Sequence, residues 1–441
     1  MPNRISQDSA NLPMQAELLK TERDLLLRLL RMPTAGPLET GPDGPPPQLW
    51  EAQRAYAGAA AKLGFVPVHH AAVKRVALRR RDVPLAVSRA AARIPSFLDD
   101  QPSLVLRLGP PLPRAATVMF NVHLDTVSGL EQAGFDGARF HGRGAIDAKG
   151  PAVALLAGIR AALAAEPAIG TGVGVLIQAV SGEEGGAMGT IGTRPLVEAG
   201  FVGRLNLFCE PTRRRYLPRA TAAATARVSV DGTDAIDDRP AQGHNATVLL
   251  GFLAQHLGLT MALHAADGQV CVAGLHTGRL HNRVYGTGEL LVNMSYAAPE
   301  AGRRLEAAFE VALREGLAEF ARRFASTPEF ALTAAQATSV TQLEWLKRGL
   351  PTLANTDPWC EALLAGAGLA RWPADEPAFT CDAIWMNGVP DAFTAVLGPG
   401  DLAANHAHAR GEFARLAELE LFAADVARIL VSFARGQGSP P

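Results

Sequence analysis

Three short, mostly apolar segments in the first half of the chain constrain the fold more than any other sequence feature. They cover residues 117–122, 174–180 and 205–209, and a helical pattern at 148–165 separates the first two. Near-continuous apolar runs, in contrast to alternating ones, are typical of strands that are buried on both faces. The sequence therefore predicts an α/β fold in which a mostly parallel sheet is sandwiched by helices.

The segment from residue 222 to residue 335 has a different pattern. Its strands are more amphipathic, and they are grouped with two long helices instead of alternating with helices one by one. The earlier pattern of apolar strands and helices resumes after this segment, with an apolar strand at 393–397 and a terminal helix at 412–433. A chain of 441 residues is also long for one domain. We therefore expect 1–221 and 336–441 to form one larger α/β domain, with 222–335 inserted in it as an α+β domain.

Charge and composition exclude several classes of partner. The 42 Lys and Arg residues balance 43 Asp and Glu residues, whereas a nucleic-acid-binding face needs an excess of positive charge. No run of about 18 apolar residues suggests a membrane span, and the N-terminal stretch lacks the apolar core of a signal peptide. The four cysteines lack a paired spacing. We therefore expect a cytoplasmic protein that binds neither nucleic acid nor membrane.

Acidic and histidine residues directly follow each of the three apolar segments. His123 and Asp125 follow the first, Glu183 and Glu184 the second, and Glu210 the third. The carboxyl ends of parallel strands meet at one edge of an open sheet, so these side chains should lie together. Imidazole and carboxylate groups suit zinc, cobalt or manganese, and one ion needs fewer ligands than this set offers. The sequence therefore predicts two divalent ions at this edge, with zinc preferred and cobalt or manganese as alternatives.

Five segments, in this order along the chain, resemble the motifs of one family of dinuclear metallohydrolases. They are His123–Asp125, Gly142–Gly150, Glu183–Gly186, Glu210–Thr212, and Gly398–Gly400 followed by His408 and Glu412. The family includes acetylornithine deacetylase, succinyl-diaminopimelate desuccinylase, aminoacylase and carboxypeptidase G. The resemblance implies a zinc-exopeptidase-like fold whose inserted domain is a lid and dimerisation domain, and hence a homodimer. It also implies metal-dependent hydrolysis of the amide bond of an N-acyl amino acid or a small peptide.

The same resemblance implies a role for each residue of the site. The ion ligands are His123 and Glu210 for one ion, Glu184 and His408 for the other, and Asp147 as the bridge between them. Glu183 is the general base, and Asp125 orients His123. His406 is the alternative to His408, which is preferred because an acidic residue follows it four positions later, as in the family.

Two positions in the inserted segment depart from the family pattern. Ile236 occupies the place of a lid histidine that helps polarise the scissile carbonyl, and Ser295 the place of an arginine that holds a substrate carboxylate. These departures predict an unusual substrate or altered chemistry, not loss of metal. The candidates to replace the two groups are His244, His276, His281, Asn282, Arg283 and Arg239.

Two other functions stay open on the sequence alone. One is a dedicated biosynthetic or tailoring amidohydrolase with a nonstandard substrate. The other, from a different class, is a metal-binding protein without catalysis that uses the inserted segment to bind a partner. Glu183 argues against the second, because a binding protein needs no general base.

Overall fold

The structure, a computed structural model, describes residues 15–436. The chain divides into two compact units. The main unit runs up to Arg80, continues over Ala86–Ala220, and resumes at Leu353; the inserted unit comprises Arg81–Leu85 and Thr221–Thr352.

Helices and strands follow one another along most of the described chain. The α-helices are α1 (Lys20–Leu30), α2 (Pro37–Thr40), α3 (Leu49–Ala61), α4 (Leu85–Arg93), α5 (Lys149–Ala165), α6 (Thr193–Glu198), α7 (Ala246–Met261), α8 (Pro299–Phe324), α9 (Ala331–Gln336), α10 (Pro358–Gly366) and α11 (Leu416–Gly436). The strands are β1 (Val66–Ala72), β2 (Pro102–Leu108), β3 (Thr117–His123), β4 (Gly134–Phe135), β5 (Arg139–His141), β6 (Gly174–Val180), β7 (Leu205–Phe208), β8 (Arg219–Ala220), β9 (Ala222–Asp231), β10 (Ala235–Ile236), β11 (Gln269–His276), β12 (Arg283–Val284), β13 (Thr287–Tyr296), β14 (Thr341–Lys347), β15 (Leu353–Ala354), β16 (Phe393–Val396) and β17 (Phe413–Arg415).

The main unit is built on a six-stranded sheet of order β1-β2-β6-β3-β7-β16. The last four strands are parallel, whereas β2 runs antiparallel to both β1 and β6. Every residue of β3 is buried, as its near-continuous apolar sequence predicts. One large core joins the sheet to α1, α3, α5 and α11, and α5 packs closely against α11. The sheet is therefore mostly parallel, with an antiparallel edge.

The inserted unit contains a four-stranded antiparallel sheet of order β11-β13-β9-β14. Helices α7 and α8 pack on it and on each other, so the unit is α+β. The sequence pattern places the end of this segment at residue 335, whereas the unit extends to Thr352. The reason is β14, which pairs with β9 but carries charged residues that obscure its strand pattern.

Two further expectations differ from the structure. The sequence pattern starts the terminal helix at residue 412, but Phe413–Arg415 forms β17, paired with β5, and the helix begins at Leu416. The sequence also suggests no membrane span, yet Ala246–His264 is long and apolar enough to cross a membrane by length and composition. In the structure this stretch includes α7, whose buried leucines pack in the core of the inserted unit. A helix in a protein core meets the same criterion of length and composition as a membrane span.

The long segment of the inserted unit, Thr221–Thr352, leaves and rejoins the main unit at one short ladder. Strands β8 and β15 pair antiparallel, with Leu353 opposite Ala220. The two ends of the insertion are therefore neighbours within the main unit.

Candidate metal centre

Three neighbouring strands bring the first site residues together. The order β6-β3-β7 places three parallel carboxyl ends side by side. His123 is the last residue of β3, Glu184 follows β6, and Glu210 follows β7. The histidine is 1% exposed and Glu210 is 8% exposed. The edge predicted from the sequence thus exists, and its side chains are largely shielded from solvent.

Asp147 lies between two histidines. Its Oδ1 is 2.9 Å from His123 Nε2, and its Oδ2 is 2.9 Å from His408 Nε2. Each histidine also faces a second carboxylate: Glu210 Oε1 is 3.6 Å from His123 Nε2, and Glu184 Oε1 is 3.0 Å from His408 Nε2. Because its two oxygens face different histidines, Asp147 has the geometry of a bridging ligand.

The structure distinguishes between the two candidate C-terminal histidines. His408 reaches both Asp147 and Glu184. The ring of His406 instead packs edge-on against Phe413, with ring centroids 5.9 Å apart. The geometry therefore favours His408 as the site histidine.

Glu183 belongs to the cluster but to neither of the two histidine–carboxylate pairs, His123–Glu210 and His408–Glu184. It has a potential ligand atom within 4.8 Å of those of His123 and Glu184, and it forms a similar group with Glu210 and Asp382. Burial raises the pKa of Glu183 well above its ordinary value, and the neighbouring charge of Glu184 adds to this rise. A carboxyl group with a raised pKa, beside the candidate ligands but outside the two histidine–carboxylate pairs, is suited to general-base chemistry.

Asp382 is a site residue that the sequence pattern does not indicate. It is fully buried at the start of a 3₁₀ turn, and its carboxylate accepts a hydrogen bond from the Thr193 hydroxyl. Burial raises its pKa to about 7. No apolar strand or glycine loop leads into this residue, so the sequence offers no local signal for it.

Asp125 has a different role from the one expected. His123 Nδ1 lies 2.9 Å from the backbone oxygen of Asp125, whereas the Asp125 carboxylate is 3.7 Å away. That carboxylate instead accepts hydrogen bonds from the backbone N–H groups of Gly182 and Glu184, each at 3.0 Å. The carbonyl therefore orients the imidazole and leaves Nε2 facing Asp147 and Glu210. The carboxylate holds the loop that carries Glu183.

The charges of the cluster indicate what it can bind. Burial raises the pKa of Glu184 to about 7. Hydrogen bonds to Asp147 and Glu184 raise the pKa of His408 to about 10. Burial would raise the pKa of Asp147, but the hydrogen bonds from His123 and His408 outweigh it and lower that pKa. Crowded, buried carboxylates beside two imidazoles are a donor set for divalent cations, and two ions sharing Asp147 would use all of it. The residues present therefore fit a dinuclear metal site.

In the inserted unit, two of the proposed substitute groups are already engaged. His244 is 5% exposed. Its Nδ1 accepts from the backbone N–H of Thr233, and its Nε2 lies 3.1 Å from Gln336 Oε1. Arg283 forms an ion pair with Asp234. His244 is thus a structural histidine, and Arg283 is exposed but paired.

The other groups of the inserted unit are more accessible. Ile236 is 56% exposed on β10, and Ser295 is half-buried on β13 opposite Ala223. The remaining candidates, all exposed, are His276, His281, Asn282 and Arg239.

Comparisons with known proteins identify the family. The model of "Peptidase family M20/M25/M40" matches residues 119–432. A search of curated proteins gave no match. Similar solved structures include a tripeptidase from Staphylococcus aureus subsp. aureus Mu50, with 13% identity, a TM-score of 0.68 and coverage of 94% of this chain and 98% of that chain. An M20 family metallo-carboxypeptidase from Sulfolobus solfataricus has 12% identity, a TM-score of 0.67 and coverage of 95% and 100%. The aminopeptidase PepT from Bacillus cereus ATCC 10987 has 14% identity, a TM-score of 0.63 and coverage of 94% and 98%.

At such low identities these structures establish the fold. The family model, however, spans most of the chain, including the strand ends and loops that carry the site. The chain therefore belongs to peptidase family M20/M25/M40 and is a metal-dependent amide hydrolase.

Proposed function

We propose that this protein cleaves the amide bond of a small peptide or an N-acyl amino acid at a site for two divalent ions. The observation that carries the proposal is the position of Asp147 between two histidines, each of which also faces a second carboxylate. The proposed ligands are His123 and Glu210 for one ion, His408 and Glu184 for the other, and Asp147 for both. The three solved structures reported above are peptidases by name, which supports a peptide-like substrate.

Glu183 is the proposed general base. A pair of divalent ions supplies Lewis-acid polarisation of the scissile carbonyl and makes water more acidic. Glu183 accepts the proton of the attacking water and delivers it to the leaving amine. Its raised pKa, which burial and the neighbouring Glu184 cause, suits a group that holds a proton between these two events. The hydrogen bonds from Gly182 and Glu184 to Asp125 keep the loop of the base in place.

A more specific substrate is supported by the two departures in the inserted unit. Neither Ile236 nor Ser295 can hold a carboxylate as a cation does. His244, one possible replacement, has both ring nitrogens engaged within the unit. We therefore propose a nonstandard amide substrate, recognised by groups other than those at these two positions, as in a dedicated tailoring hydrolase.

Three finer proposals concern the metal, the assembly and the location. Zinc is the proposed metal, because carboxylate and imidazole donors suit it. The inserted unit is the proposed lid and dimerisation domain. Strand β11 lies at the edge of its sheet and exposes Val272 and Leu275, and Leu259 of α7 is 69% exposed, which supports a partner surface. The proposed location is the cytoplasm, which the four free cysteines support.

Metal analysis combined with a substrate screen tests the proposal. We expect two ions per chain, loss of activity on chelation, and recovery on adding zinc. The screen would compare dipeptides, tripeptides and N-acyl amino acids with a broad amide panel. Asp147→Asn should lose both ions and activity together. Hydrolysis that continues in chelated protein would refute the proposal, whereas bound ions without turnover of any amide would favour the non-catalytic alternative.

A further inference from the structure

Glu412 makes an unusual set of hydrogen bonds for a buried carboxylate. It is 1% exposed. Its Oε1 accepts from the backbone N–H groups of Ile146 at 3.0 Å and Asp147 at 3.2 Å. Its Oε2 accepts from the N–H of Gly144 at 3.0 Å and from Arg143 Nη1 at 2.7 Å. Both oxygens of Glu412 are thus committed to the short loop that carries Asp147.

The same contacts reach the segment that carries His408. Arg143 Nη2 donates to the backbone oxygen of Ala409 at 3.1 Å, and the backbone oxygen of Glu412 accepts from Gly142 N–H at 3.1 Å. Immediately beyond, β17 pairs with β5. The segment of His408 and the loop of Asp147 are therefore joined through Glu412 and Arg143.

The Asp147 loop satisfies only part of its backbone internally: Ala145 N–H donates to Gly142 O at 3.0 Å and Lys149 N–H to Gly144 O at 2.9 Å. Gly144 adopts a φ of +87°, and a Cβ there would lie 2.8 Å from the Lys149 side chain and 2.9 Å from that of Thr126. In this tight conformation three buried N–H groups point at one carboxylate, and hydrogen bonds to a charged acceptor are stronger than neutral ones. Without Glu412 these donors would be left buried and unpaired, which is costly.

We infer that Glu412 is a positioning residue, which fixes Asp147 relative to His408 and thereby sets the spacing of the two ions. The inference rests on the proposed function, because it assigns Glu412 no role apart from the dinuclear site. Glu412 touches neither ion nor substrate in this scheme and acts only through the loop it holds. Partners of metal ligands typically change metal affinity or activity by about 10–100-fold when they are replaced.

Glu412→Gln is the first test. The glutamine amide offers only one acceptor oxygen, and its NH₂ group faces two of the four donors, so half of the contacts are lost. We expect the affinity for the second ion to fall about 10–100-fold in a titration of the metal-free protein with Zn²⁺. With Co²⁺ as the probe, the absorption spectrum of the bound ions should differ from that of wild type. Glu412→Asp is the second variant, for use if the glutamine variant does not fold. It keeps the charge beside Arg143 but is one methylene shorter, so we expect the same loss of ion affinity.

Glu306→Gln provides a matched control. Glu306 is also a buried glutamate, 7% exposed; it accepts from Gly349 N–H at 3.1 Å and lies 3.6 Å from Arg81 within the inserted unit. This variant should lower the melting temperature without changing ion affinity or the cobalt spectrum.

The outcomes separate the two proposals. A selective loss of ion affinity in the Glu412 variants supports the positioning role. Wild-type affinity and spectrum in those variants, or an equal loss in Glu306→Gln, would overturn it while leaving the proposed function intact. Failure of the wild-type protein itself to bind two ions would overturn the proposed function, and this inference with it.

Discussion

Replacing Glu183 by glutamine separates general-base catalysis from metal binding. The substitution keeps the size of the side chain but removes its ability to accept a proton. Glu183 lies outside both histidine–carboxylate pairs, and the loop that carries it is held by Asp125 through Gly182 and Glu184, so the ligands should stay in place. A general base contributes about 10²–10⁴-fold, which corresponds to a barrier higher by about 2.7–5.4 kcal/mol. The expected result is a fall in kcat of at least that size.

The assay measures bound metal and turnover on one sample of each variant. Glu183→Gln should carry wild-type metal and be nearly inactive. Glu300→Gln, a change at an exposed glutamate on α8, should match wild type in both measurements. Wild-type turnover of the Glu183 variant would refute its assignment as the base. Loss of an ion would instead show that Glu183 is a ligand and that the division of the cluster into two pairs is wrong.

The site and the inserted unit support three further predictions. His408→Ala should lower the amount of bound metal, whereas His406→Ala should not, and zinc titration of the two metal-free variants would check this. The reverse result would make His406 the ligand. Asp125→Ala should lower kcat and change KM little, because it releases the loop that carries Glu183. Steady-state kinetics would measure both, and an unchanged kcat would argue against this anchoring. N-acetyl and N-succinyl amino acids should be poor substrates, and Ile236→His combined with Ser295→Arg should improve them; a wild-type kcat/KM above about 10⁴ M⁻¹s⁻¹ on these compounds would show that the departures are silent.

Much of the site could be predicted because its signals are local. An apolar strand and the residue that follows it are adjacent in sequence, so His123 and Glu210 could be placed at one sheet edge before any tertiary contact was known. The metal roles and the choice of His408 came from resemblance. The geometry supports them, and metal analysis of the variants tests them.

What the sequence missed depends on contacts between distant segments. Asp382 meets Thr193 across the fold, and the Asp125 carboxylate bonds to amides of another loop, so neither is encoded by neighbouring residues. The same holds for secondary structure. Strand β14 exists because β9 provides its partner, and Phe413–Arg415 is extended because it pairs with β5. Pairing partners override a weak local pattern.

The ladder of β8 and β15 closes Thr221–Thr352 into one excursion from the main unit. The excursion starts and ends at one rung, where Ala220 faces Leu353, so the order of the main sheet does not depend on what the excursion contains. Residues in the excursion, such as Ile236, therefore lie outside the paired strands whose ends carry the candidate ligands. Under the proposed function, hydrolytic chemistry and substrate choice lie on different segments of the polypeptide. On that proposal, substitutions within Thr221–Thr352 would change the specificity and leave the reaction centre as it is.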